Sequence, residues 1–73
     1  MGPPDPKDIL GNTARDLAQL AGDLNRTKAD ANHWLEGPEY EALRRRLEGA
    51  HAAVEAALIE ARRRVRLSNE RGK

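Results

Sequence analysis

Glu48 and His51 stand three residues apart, a spacing that on a helix sets a carboxylate and an imidazole on one face. Helical bundles that hold pairs of iron or manganese ions use this Glu-x-x-His spacing, together with carboxylates from facing helices. Other residues able to do chemistry are sparse. The 73-residue chain has no cysteine, and its hydroxyl side chains are Thr13, Thr27, Ser68 and Tyr40. None has a His and a carboxylate at helical spacing to activate it as a nucleophile. Neither glycine-rich phosphate-binding pattern occurs. The expectation is a non-enzymatic protein, with no cofactor and no bound metal.

A symmetric dimer would supply two copies of the Glu48-x-x-His51 pair, and in this the sequence resembles the encapsulated ferritins, which build an iron site from two-helix hairpins. That resemblance implies an inward-facing Glu from the first helix. Here Ala21, Leu24 and Lys28 stand opposite the pair, and the one Glu of that helix is Glu36, beside the turn. A required ligand is missing. The helical neighbours expected around His51 are therefore Arg44, Glu48 and Glu55. His33, on the other helix, fits no register with it.

Arginine gives the other functional signal. Arg44-Arg45-Arg46 and Arg62-Arg63-Arg64 with Arg66 form two clusters, and basic clusters can neutralise phosphates. The four arginines from Arg62 to Arg66 are the candidate contacts for DNA or RNA. Glu41 lies four residues before Arg45, Arg44 four before Glu48 and Glu60 four before Arg64, so several arginines have intrahelical partners in reach. There are no interleaved aromatics to stack on bases. Net charge is +1 over the chain, −2 in residues 1–36 and +3 in residues 37–73. Cations in the last turns also suit the negative end of a helix dipole.

Two helices must position these groups. Asp5 can cap the first, Pro6 suits its first position, and Asp8 sits near the positive end of its dipole. Leu10, Ala14, Leu17, Ala21, Leu24, Lys28, Ala31 and Leu35 then recur at spacings of four and three, the period of a helix burying one seam. Lys28 can lay its methylenes over that seam with its ammonium in water. Gly37, through the left-handed conformation that glycine accepts, and Pro38 end the helix. Pro38 starts a second helix, whose seam runs through Tyr40, Leu43, Leu47, Ala50, Val54, Leu58, Ala61 and Val65. The spacing predicts helices over about 6–36 and 38–67, a flexible lead at 1–5 and a frayed basic tail at 68–73.

So short a turn makes the helices antiparallel, with facing residues whose numbers sum to about 75. The fold class is an all-α two-helix hairpin. Gly22 and Gly49 would let the backbones approach closely, at about 1 kcal/mol each relative to Ala. A second apolar set falls outside the seam: Ile9 and Leu20 on the first helix, Ala52, Ala56 and Ile59 on the second. A chain this short buries a small fraction of its surface. The simplest remedy is a symmetric homodimer forming a four-helix bundle, with docking on a larger protein partner the next.

Trp34 has two readings. As structure, it caps the end of the hairpin with Leu35 and Tyr40; as function, it is the best single interface anchor. The run Trp34-Leu35-Glu36-Gly37 resembles the turn of small secreted helical hairpins, which carry Trp-x-Gly where this chain has Trp-x-x-Gly. The Gly-Pro turn, Glu39-Tyr40-Glu41 and the Ala-rich second helix resemble the small co-chaperones of type III secretion needle subunits. That resemblance implies a cytoplasmic hairpin docked on a helical-repeat chaperone. No stretch approaches the roughly 20 apolar residues that cross a bilayer, and the start lacks the basic segment and apolar run of a signal peptide. A cytoplasmic location is expected, and the Ala and Arg content fits a GC-rich bacterial or phage genome.

Overall fold

The computed structural model describes residues 5–71, with side chains through residue 70. Helix α1 spans Pro6–Trp34, a 3-10 turn covers Pro38–Tyr40, and α2 spans Glu41–Arg71. No strand occurs among the described residues. The start of α1 follows its sequence signals closely. Asp5 is extended, its side chain accepts from the Lys7 amide at 3.0 Å, and its carbonyl accepts from the Asp8 and Ile9 amides. Pro6, lacking an amide hydrogen, leaves no unmet donor in that turn.

The turn differs from the sequence expectation. Helix α1 stops at Trp34, two residues early, and Leu35 closes it with an amide bond to the Ala31 carbonyl at 2.8 Å. Gly37 is extended, with φ −64° and ψ 158°, not left-handed. What closes the turn is Arg44. Its guanidinium reaches back from the first turns of α2 to donate to the carbonyls of Leu35 and Gly37, the latter at 3.2 Å. The expected Arg44–Glu48 pair is replaced by this clamp, because charge-assisted bonds to otherwise unmet carbonyls outweigh an exposed ion pair.

The far end also runs further than expected: α2 stays helical through Arg71, so residues 68–71 extend the helix. Leu67 and Ser68 share a groove with Leu10, so α1 still flanks this last stretch. Of the expected lead at 1–5, Asp5 is the cap of α1 and residues 1–4 lie outside the described residues, as does the end of the tail, 72–73.

The two helices pack along a single seam. Ala21 and Ala31 of α1 and Leu58 and Ala61 of α2 are buried, and Leu58 is the one large side chain among them. In α2 the partly covered positions are Arg44, Leu47, His51, Val54, Val65 and Ser68, whereas Tyr40, Leu43 and Ala50 are exposed. The covered positions keep a strict seven-residue repeat, Arg44, His51, Leu58 and Val65 in one row and Leu47, Val54, Ala61 and Ser68 in the other, the pattern that keeps a seam facing a partner helix. The expected seam took two spacings of four in succession, Ala50 to Val54 to Leu58, and so slipped one position toward the turn, onto Ala50 in place of His51 and Leu43 in place of Arg44.

Gly22 and Gly49 are exposed, and a methyl group at either would meet nothing within 4 Å. They are not points of close helix approach, since both face away from the seam. The hairpin measures 53 × 26 × 15 Å, one helix thick in its shortest direction. A stable domain ordinarily packs two layers around its core. This chain supplies one.

Candidate interaction face

The hairpin has two broad sides, and they differ in chemistry. On one, the groove between the helices is lined by Lys28, Asn32, Arg44 and Glu48, and further from the turn by Gly11, Ala14, Arg62 and Arg66. On the other, Thr27, Ala31 and Trp34 of α1 meet Leu43 and Leu47 of α2 around an apolar groove.

The apolar side is built by helical spacing. Ile9, Leu20, Thr27 and Trp34 are separated by 11, 7 and 7 residues, intervals that return to nearly the same side of a helix and so form one ridge on α1. On α2, Leu43, Ala50 and Ala57 follow one another at intervals of seven on the side that faces Trp34, and the row ends on Arg64 beside Leu67. Leu67 continues that side near Leu10. These are large side chains left in water: Trp34 is 75% exposed, Ile9 49%, Leu20 46% and Leu43 45%.

Trp34 does not cap the hairpin. Its ring makes an edge contact with His33, at 4.5 Å between centroids, and otherwise projects outward. Helical spacing is the cause: Trp34 stands seven residues after Thr27 on the exposed ridge, whereas Leu35 continues the covered row of Ala14, Ala21 and Lys28.

The expected apolar set is thus divided. Ile9, Leu20 and Trp34 share the apolar side. Ile59, 66% exposed, stands three residues before Arg62 and seven before Arg66, so it belongs with the polar side. Ala52 lies seven residues before Ile59 and shares its side, whereas Ala56, seven before Arg63, is on the outer edge of α2. Sequence reasoning missed Leu43 and Leu67 as exposed partners because it assigned Leu43 to the seam. The strict seven-residue repeat is the signal that would have found Leu43, since carried back from Val65 and Leu58 it falls on His51 and Arg44.

The four candidate nucleic-acid contacts are also divided. Arg63 donates to both carboxylate oxygens of Glu60, at 3.0 and 2.9 Å, and Arg64 donates to one at 2.8 Å. These hydrogen bonds, Arg63 first and then Arg64, hold the Glu60 carboxyl well below its ordinary value, at about 2, and the same bond raises the Arg63 guanidinium. Arg62 and Arg66 instead line the groove beside Gly11, together with Val65, Asn69 and Glu70. Among the described residues neither has a carboxylate within ion-pair distance.

His51 sits between the helices with its side chain 12% exposed. Its Nε2 lies 3.1 Å from Glu55, and its Nδ1 lies 3.5 Å from the Lys28 ammonium. Lysine has no acceptor, so Nδ1 accepts, and Nε2 carries the hydrogen that goes to Glu55. The imidazole is turned toward Glu55 and Lys28, not Glu48. Among the described residues no three His, Asp or Glu side chains gather as a metal centre requires. None of the described helices is long and apolar enough to cross a membrane.

Set against protein-family models, curated proteins and solved structures, the chain matches none significantly.

Proposed function

We propose that this chain is a small helical interaction protein that acts by burying its apolar side, and that it self-associates into a dimeric four-helix bundle. One observation carries the reading: large side chains are exposed along one side of a hairpin only one helix thick. Full burial of a large aliphatic or aromatic side chain is worth about 1.5–3 kcal/mol. Ile9, Leu20, Trp34 and Leu43 keep about half of their surface or more in water. A covering surface would therefore add several kcal/mol per chain, on the order of the whole stability of a small domain. Mechanism here means surface burial, without chemistry at a reacting centre.

The test is molecular mass in solution across concentration, by sedimentation equilibrium, for the native chain and for Leu20→Glu. The native chain is expected to sediment as a dimer at micromolar concentration. Leu20→Glu, an exposed change that costs the isolated hairpin little, is expected to shift the mass to monomer. A monodisperse monomer that melts cooperatively at all concentrations would overturn the self-association reading. An aggregation-prone, loosely packed monomer would point to a larger protein partner in place of a second copy.

A second reading rests on Arg62 and Arg66, which line one groove together with Glu70 and have no carboxylate within ion-pair distance among the described residues. They are suited to phosphate, and the binding of DNA or RNA through them would weaken steeply with salt. The capture of Arg63 and Arg64 by Glu60 weighs against it. An apolar helix interface tolerates the same salt, so one titration separates the readings.

A further inference from the structure

We infer that the partner on the apolar side is a second copy placed by a twofold axis along the hairpin's length, so that α1 of each chain lies on α2 of the other and both turns point the same way. The inference rests on the self-association reading and specifies its geometry.

Surface area gives the first argument for a second copy. The hairpin exposes 5866 Å². A compact monomer of its mass would expose about 4,500 Å², leaving an excess of roughly 1,400 Å². A standard interface removes about 800 Å² from each partner, so the excess is ample for one stable contact.

Symmetry and register give the second. An axis along the hairpin's length leaves every residue at its own height, so each α1 residue meets the partner's α2 at the register that already holds within one hairpin, where Leu10 shares a groove with Leu67 and Trp34 with Leu43, their numbers summing to about 77. At that register Ile9 falls on the partner's Leu67, Leu20 on the partner's Ala57, and Trp34 on the partner's Leu43. Each large side chain of α1 meets an exposed apolar position of α2. An axis across the hairpin would instead set α1 on α1, where Trp34 falls near the partner's Ile9 and Leu20 near the partner's Leu20.

Charge gives the third. The outer border of α1 on this side carries Asp16, Asp23 and Asp30 at intervals of seven. The outer border of α2 carries Arg46, Ala53 and Glu60 at the same interval, Glu60 being held by Arg63 and Arg64. Stacking α1 on α1 aligns two acidic borders. Stacking α1 on α2 brings Asp30 level with the partner's Arg46, Asp23 with the partner's Ala53 and Asp16 with the partner's Glu60, whose charge Arg63 and Arg64 offset. Like charges set opposite each other select against the wrong partner arrangement.

The chain has no cysteine, so a spin label at Glu36→Cys, exposed beside the turn, is unique. With the turns together, two labels on the outer sides of a two-layer dimer lie roughly 20 Å apart, given helices about 10 Å across. With the turns at opposite ends they lie more than about 40 Å apart, the length of a 29-residue helix. The short distance is expected. A dimer with the long distance overturns this arrangement and leaves self-association standing, whereas a monomer overturns both. Charge exchange gives an independent reading that needs no label. Arg46→Asp is expected to weaken the dimer at least tenfold, and Asp30→Arg combined with Arg46→Asp in one chain is expected to restore it. A double variant no tighter than Arg46→Asp alone would overturn the pairing of Asp30 with the partner's Arg46.

Discussion

Glu60 is the acidic centre of a cluster on the exposed surface of α2, held by three hydrogen bonds from two arginines. Those bonds need the ionised carboxylate, which is why its pKa falls from an ordinary 4.5 to about 2. A group whose pKa is lower folded than unfolded stabilises the fold fully above the unfolded value and loses that contribution as pH falls toward the folded value. The native chain should therefore lose helix stability relative to Glu60→Gln as pH is lowered from about 4.5 to about 2, and only there. Thermal melts of the two proteins across that window check it. Because the cluster is exposed, the difference should shrink in high salt. At this scale the sequence was readable where partners are local. Glu41 with Arg45 and Glu60 with Arg64 form as their four-residue spacing implies. Arg44 was unreadable, since its carbonyl partners exist only once the turn has closed.

At the scale of the element, both helices are longer than their sequence composition favours, because each holds glycine in its interior. Gly22 and Gly49 lie on exposed surfaces where a methyl group would touch nothing within 4 Å, and neither has a positive φ. Each therefore keeps the backbone-entropy cost of a helical glycine with no packing gain to offset it. Gly22→Ala and Gly49→Ala should each stabilise the protein by about 0.5–1 kcal/mol, additively, as read from chemical denaturation midpoints. Had the glycines stood in the seam, as their neighbours in sequence suggest, the same substitutions would push the helices apart. The start of α1 was legible because Asp5, Pro6 and Asp8 act within one turn. The seam of α2 was legible from Val54 to Val65 and misassigned toward the turn, because following apolar residues from Leu58 to Val54 to Ala50 breaks the seven-residue repeat that His51 and Arg44 keep. Leu43, which flanks the apolar groove, was placed in the seam by that slip.

For the whole molecule, the governing fact is a single layer. Among the described residues only Ala21, Ala31, Ala61 and Leu58 are buried, and the larger seam residues, Leu17, Leu24, Leu47, Val54 and Val65 among them, are partly covered. The sequence announced this through its lack of Phe and its alanine-rich seam. It did not announce which side would stay uncovered, because Ile59 and Ile9 look alike in a linear pattern and separate only when both helices are placed. Stability in such a hairpin should depend on what covers it. Antiparallel helices also bring the two ends of the hairpin, Asp5 and Arg71, to the same extremity. With both turns pointing one way, the four ends of a dimer gather at the opposite pole. A short flexible linker from the end of one copy to the start of the next should then make a tandem single-chain bundle, with the linked copy held at a millimolar effective concentration. Its melting temperature should be independent of dilution, while that of the unlinked chain falls as the protein is diluted. The placement of the ends at one pole thus makes duplication within one chain a direct route from a transient pair to a permanent domain.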